Sequence, residues 1–276
     1  FGPYAYGMGV IGGVWGTSIT SSNSTNNQYL NNQIDITGGY FTTGFIAGRN
    51  SINTKLNNNT FTITGIKNNN NKGDYVYGIT LENSTQTTAI QNTITTTGAS
   101  AYTIELYDSS NNNITNNNIT TTATNPYSIA TYRSNNNTIQ ANNITNNKQN
   151  YGTTNTQTHT DAITPGNQAI KLTYNSHHNT ITQNKIQTNT KTTTITLTEQ
   201  TTYNTVTNNA LITPTNTGDK TVNNKHKTNT VKNNFQHFTT LKVDPITATI
   251  GDTITIIAQV TSTTTDLKNL TATYKL

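Results

Sequence analysis

Apolar residues in this chain come in pairs set among polar ones. The stretch from residue 113 reads Asn-Ile-Thr-Asn-Asn-Asn-Ile, and the stretch from residue 138 reads Thr-Ile-Gln-Ala-Asn-Asn-Ile, with first isoleucines 25 residues apart. An apolar residue followed four or five positions later by another recurs as Leu30/Ile34, Leu56/Phe61, Ile90/Ile94, Ile114/Ile119, Ile139/Ile144, Ile181/Ile186, Val206/Leu211 and Val231/Phe235. Most steps between pairs lie within a residue or two of 25, and the two long ones mark insertions. Biased composition would raise the frequency of isoleucine without giving it a register, so the spacing is an internal repeat.

A second column keeps the same period. Apolar-x-apolar triplets begin at Ile79, Ile104, Ile129, Ile170 and Ile195, and aligning the Asn-Ser pairs that follow extends the column back to Ile46 and Ile19. Period-2 alternation predicts short strands, and the Asn, Gly and Ser clusters between them predict turns. One such coil cannot bury its apolar face alone, whereas stacked coils bury theirs against each other. The predicted fold is therefore all-β: a parallel β-helix of about eight coils. Recurring asparagines are expected to stack as ladders of side-chain amides. The extra residues of the two long steps are expected to leave the stack as loops, one within 67–74 and one within 146–167.

Composition then changes the picture twice. Only 30% of residues are hydrophobic and mean hydropathy is -0.63, which taken alone suggests disorder. Yet charged residues are 10% of the chain and prolines number 5, whereas disordered chains combine low hydrophobicity with abundant charge and proline. A narrow solenoid interior needs few apolar residues per coil, so the low content fits the stacked reading.

These Asn-x-Ile-x-x-Asn-x-Ile units resemble the right-handed parallel β-helix of the pectate-lyase-like superfold. The Asn-rich form is similar to adhesin-like surface proteins of methanogenic archaea and to the periplasmic copper-processing β-helix family. The resemblance covers roughly residues 10 to 235 and speaks to fold, since this superfold hosts lyases, hydrolases, epimerases and noncatalytic surface proteins alike. From about Leu241 the rhythm stops, and "GDTITIIAQVT" resembles a strand of immunoglobulin-like modules in prokaryotic surface proteins. Fewer than 40 residues follow, against the roughly 100 of such a sandwich. The expected division is a β-helix over 1–238, then over 239–276 either the incomplete start of an immunoglobulin-like β-sandwich or a cap on the β-helix. The first alternative, with the Phe1-Gly2-Pro3 start, reads as a piece of a longer protein.

The chain has no cysteine, which excludes disulfides and Cys metal sites, and no run approaches the roughly 20 apolar residues of a membrane span. An extracellular or cell-surface location is the expectation. Sequons occur at Asn23, Asn58, Asn83, Asn113, Asn118, Asn136, Asn143 and Asn269, and permit glycosylation.

Outward columns hold the candidate chemistry. Reading between and after the inward residues of each coil brings Arg49, Glu82, Glu105, Tyr107, Asp108, Tyr132, Arg133 and Lys171 onto one strip, with coils about 4.8 Å apart. Aromatic rings suit sugar rings, while carboxylates and guanidinium groups bond hydroxyls or acidic sugars. The competing reading is an ordinary exposed ladder of cross-coil charge pairs. Glu82, Glu105 and Asp108 could supply a carboxylate pair for glycoside hydrolysis. The paired aspartates, Gly-His-Gly and Arg-Ile-Lys of polygalacturonase-like enzymes are absent, as is the Asp-Pro-His-Asp of β-helix epimerases. No catalytic residue, metal ligand or cofactor is assigned.

His177 and His178 sit in a turn, where adjacent histidines do not easily face one ion without further ligands; His159 and Asp161 lie in the long insertion, and His226 and His237 show no ligand spacing. The net charge of +5 is too thinly spread for a nucleic-acid reader, its one cluster being Lys220, Lys225, Lys227 and Lys232. The expected function is a noncatalytic adhesin-like surface protein, a stalk or a module for extracellular polysaccharide or glycoconjugate. The alternative is a carbohydrate-active enzyme (polysaccharide lyase, hydrolase or epimerase) on the same scaffold.

Overall fold

The structure is a computed structural model that describes residues 15–22, 24–38, 41–48, 50–65, 75–149, 168–190, 193–213, 221–236, 253–258 and 270–275. The expected loop at 67–74 lies outside these residues, as does most of 146–167. All the elements are strands, and those up to residue 236 are paired in parallel into a β-solenoid. One face is a stack of eight three-residue strands, from Gln28–Leu30 through Asn113–Thr115 to Thr230–Lys232. The other two faces belong to one 14-stranded sheet, because Thr93–Tyr107 and Asn118–Tyr132 each run through both. Eight rungs are thus joined by about seven turns.

The interior is built from the predicted columns. Ile79, Ile104, Ile129, Ile170 and Ile195 are register neighbours in one stack, and every one is fully buried. Each such side chain contributes about 1.5–3 kcal/mol of hydrophobic stabilisation. The insertions leave this register intact: Thr43 pairs with Tyr77, and Ile129 with Ile170. The strand Asn143–Lys148 shows that the second expected loop segment begins as ladder, with Asn146 opposite Thr121 and Thr188.

Three inward assignments are off by one. Tyr29 rather than Leu30 aligns with Leu56, and Leu30 is 45% exposed. Ala89 rather than Ile90 faces Ile114. Phe45 rather than Ile46 continues the Ile79 column, and Ile46 stands opposite Thr80 in the outward one. At the last rung the backbone register sets Phe235 opposite Ala210 and Gln236 opposite Leu211.

Hydrogen bonding explains the asparagines. At the corner pairs Asn111-Asn112 and Asn116-Asn117 the first residue takes a left-handed backbone (φ 60° and 57°), a conformation Asn tolerates better than other side chains do. The second turns its amide inward. Asn117 Oδ1 accepts from the backbone N–H and the Nδ2 of Asn92, both at 2.9 Å. Its own Nδ2 donates to Ala89 O at 2.8 Å and to Asn142 Oδ1 at 3.0 Å. This arrangement repeats from Asn32 through Asn59, Asn92, Asn117, Asn142, Asn184 and Asn209 to Asn234. A second ladder links Asn112, Asn137, Asn179, Asn204 and Asn229. At the third corner Ser84 and Ser109 donate backbone N–H groups to the hydroxyls of Ser109 and Ser134. The inward asparagine and serine side chains of these corners are thereby paired within the protein, as buried polar groups generally are.

One stretch of the interior is polar, contrary to the apolar core expected. Thr96, Thr103, Thr121 and Ser128 form a continuous chain of buried hydroxyls, and Asn146 Nδ2 donates to Ser128 at its end. Beyond the solenoid, Thr253–Ala258 and Leu270–Lys275 form an antiparallel pair.

Candidate functional site

Register places the predicted strip residues in three adjacent outward columns. Thr80, Glu105, Ala130 and Lys171 share one; Glu82, Tyr107, Tyr132 and Thr173 share the next. Asn83, Asp108, Arg133 and Tyr174 follow, each handing its backbone N–H or carbonyl to the adjoining rungs. All four of these last residues have positive φ, from 43° to 49°. Because the whole column shares it, the left-handed backbone at Asp108 and Arg133 is imposed by the coil rather than by a function. Arg49 lies outside the described residues.

The structure brings four of the eight residues together. Arg133 donates from Nε to Asp108 Oδ1 and from Nη2 to Asp108 Oδ2, both at 2.6 Å, a bidentate ion pair. The same guanidinium donates to the hydroxyls of Tyr132 at 3.0 Å and Tyr107 at 2.7 Å. It lies 4.3 Å from the Tyr132 ring centroid and 4.8 Å from that of Tyr107. The hydrogen bonds that Arg133 donates to Asp108 raise its pKa further above its usual range, so the charge is fixed.

Ring geometry changes how this strip can meet a ligand. Tyr107 and Tyr132 are parallel to within 1° at 4.8 Å, so each ring face covers the other. The position that would continue the stack is Thr173, and Tyr174 in the next column completes it at a 42° tilt and 4.6 Å. Tyr132, between two rings, is only 6% exposed. The strip therefore offers ring edges and hydroxyls rather than the open aromatic platform expected for a sugar.

Glu105 and Lys171 belong to a second cluster. Tyr77, Tyr102 and Tyr127 stack at 5.3 and 5.0 Å, and Lys171 Nζ lies 5.4 Å from the Tyr127 ring centre. Lys171 is outward in register yet only 5% exposed, which corrects its placement on an open surface. Burial lowers its pKa to about 8. Burial, with Tyr127 and Glu105 nearby, holds the Tyr102 phenol well above its ordinary value. Glu82, at the strand end beside Tyr107, is exposed and joins neither group. The second tyrosine stack and Tyr174 were missed in the sequence, although Tyr77, Tyr102 and Tyr127 stand 25 residues apart.

Among the described residues no group of three His, Asp or Glu side chains could hold a metal ion. His177 Nδ1 accepts the backbone N–H of Thr202 at 3.2 Å and lies 2.7 Å from its hydroxyl. Burial and the neighbouring His178 lower the His177 pKa. His178 stacks on Tyr203 at 5.1 Å. Both are occupied in holding the turn. No helix among the described residues is long and apolar enough to cross a membrane. Comparison with family models and with curated proteins returns no match.

Proposed function

We propose that the chain is a noncatalytic, adhesin-like rod of the extracellular or cell-surface kind, which engages polysaccharide or glycoconjugate along the Tyr107/Tyr132 strip. The observation that carries this reading is the closed network of Arg133, Asp108 and the two tyrosine hydroxyls. It fixes polar groups of adjacent rungs in a rigid row along the axis, so that little side-chain entropy is lost when a polyhydroxylated chain lies across them. Both oxygens of Asp108 are taken by Arg133, which removes it from service as nucleophile or base. The adhesin character, the kinship with methanogen surface proteins and an immunoglobulin-like module at 239–276 are parts of the same proposal. The antiparallel pair after residue 252 supports either a module start or a cap.

The test is glycan-array binding by the parent and by a Tyr107→Phe/Tyr132→Phe variant, which keeps the ring stack and removes both hydroxyls. Loss of binding is expected, and unchanged binding of the variant removes the strip. One observation favours the alternative, a carbohydrate-active enzyme: Lys171, with its pKa lowered to about 8, has the ionisation of a general base. Polysaccharide cleavage by the parent that vanishes in Lys171→Met would replace the noncatalytic reading.

A further inference from the structure

Six of the eight sequons fall on described residues, and the fold treats them unequally. Asn83 is held by a 2.6 Å hydrogen bond from its Nδ2 to Asn50 Oδ1, and its sequon hydroxyl is borne by the half-buried Thr85. Asn118 and Asn143 spend their amides on each other, Asn143 Nδ2 donating to Asn118 Oδ1 at 3.0 Å. Asn113 accepts the Thr115 hydroxyl of its own sequon, so acceptor amide and recognition hydroxyl occupy one another. Asn83 and Asn143 thus have the nitrogen needed for transfer engaged and Asn113 the hydroxyl, while Asn118 sits in the strand Asn118–Tyr132 with its amide oxygen held by Asn143.

Asn58 and Asn136 differ. Each sits at a left-handed turn tip (φ 56° and 55°), is exposed, and makes no side-chain hydrogen bond among the described residues. The reason is the Asn-Asn grammar of the coil. Asn59 and Asn137, the middle residues of these two sequons, turn inward and bond into the ladders. That forces the preceding asparagine outward and leaves it no role in the stack. The sequon hydroxyls are borne by Thr60, which is exposed, and Thr138, which is half-buried.

We infer that Asn58 and Asn136 are the described sequons able to carry an N-linked glycan in the folded protein. In the transfer, the amide nitrogen displaces the phosphate leaving group at the anomeric carbon of a lipid-linked oligosaccharide donor. A C–N bond forms, the C–O bond to phosphate breaks with its electron pair, and the amide proton passes to a base of the transferase. Both sites border the short-strand face, at opposite ends of its strands and on rungs two and five. The inference does not depend on the tyrosine strip binding anything.

The experiment is expression in a host with an N-glycosylation pathway, with an unstructured sequon peptide appended as an internal control. Glycopeptide mass spectrometry is then run on the folded, protease-resistant fraction. Occupancy at Asn58 and Asn136, lost singly in Asn58→Gln and Asn136→Gln, is expected, with Asn83, Asn113, Asn118 and Asn143 bare. An occupied control beside bare Asn58 and Asn136 overturns the inference, as does occupancy of Asn118 or Asn143 in folded protein. If the control is bare, the folded protein is given the purified transferase and its lipid-linked donor, and the same two outcomes decide.

Discussion

Exchanging the Asn117 amide for a carboxyl tests the ladder with almost no change of shape. In Asn117→Asp the oxygen that accepts from Asn92 remains, but the second oxygen replaces Nδ2 and faces Ala89 O and Asn142 Oδ1 at about the former 2.8 and 3.0 Å. Protonated, the group donates one of the two lost bonds, and the deficit is about 1–2 kcal/mol. Ionised, it is a carboxylate with 1% exposure against two acceptors, and the deficit grows to about 4 kcal/mol or more. The folded-state pKa of the introduced carboxyl is thus raised above the unfolded value of about 3.9. Between the two, the native state binds more protons than the unfolded state, so stability falls as pH rises. Urea unfolding followed by far-UV circular dichroism, at pH 3.5 and pH 7, should show a variant modestly weakened at the lower pH and severely weakened at the higher. Asn116→Asp, one residue earlier on an exposed left-handed turn, is the control and should change little at either pH. Equal stability of the two variants at pH 7, or a deficit in Asn117→Asp that ignores pH, would refute the account of the ladder.

Other outcomes follow from single positions. Ala141 holds a left-handed backbone (φ 54°) where neighbouring rungs have Asn116 and Gln183, so Ala141→Asn should stabilise by about 0.5–1 kcal/mol in the same urea assay. At Gly78 an added Cβ would stand 2.5 Å from the Thr103 carbonyl oxygen, a backbone atom, and Gly78→Ala should cost about 1–3 kcal/mol and lower the melting temperature. Because the Lys171 pKa is lowered to about 8, the unfolded chain holds more protons between pH 8 and about 10; stability from this residue therefore rises across that window, and Lys171→Met should flatten the rise in thermal melts. Arg133→Gln should cost only about 0.5–1 kcal/mol, since the ion pair with Asp108 is more than a third exposed, yet should weaken any glycan binding by the strip.

Wherever a single apolar residue stood at an inward position, as at Ile104 or Ile139, the sequence displayed its register directly. It misled where two adjacent residues were both apolar: Tyr29-Leu30, Ala89-Ile90 and Phe45-Ile46. Hydrophobicity does not choose within such a pair, and the branched aliphatic residue, Leu30, Ile90 or Ile46, drew the assignment. The asparagines would have chosen. Asn32 and Asn92 stand three residues after Tyr29 and Ala89, as Asn117 does after Ile114, because the ladder fixes each turn by its own hydrogen bonds. The strip was legible as columns but not as contacts. That Tyr107 and Tyr132 cover each other, and that Lys171 is buried over Tyr127, depend on side-chain directions that period-2 counting leaves open. The hydroxyl chain through Thr103 was hidden because a threonine reads as polar wherever it points.

The 25-residue separation of Asn92, Asn117 and Asn142 has a consequence at the level of the gene. Each amide of this ladder finds the same acceptor type one coil away, so an in-frame duplication or deletion of about 75 base pairs joins two surfaces whose ladders already match. Recombination between neighbouring repeats would lengthen or shorten the rod by about 4.8 Å without disturbing any ladder. A slip of a single codon would turn the buried amides outward. Selection for reach can thus act on this molecule through copy number alone, with substitutions left free to vary the outer surface.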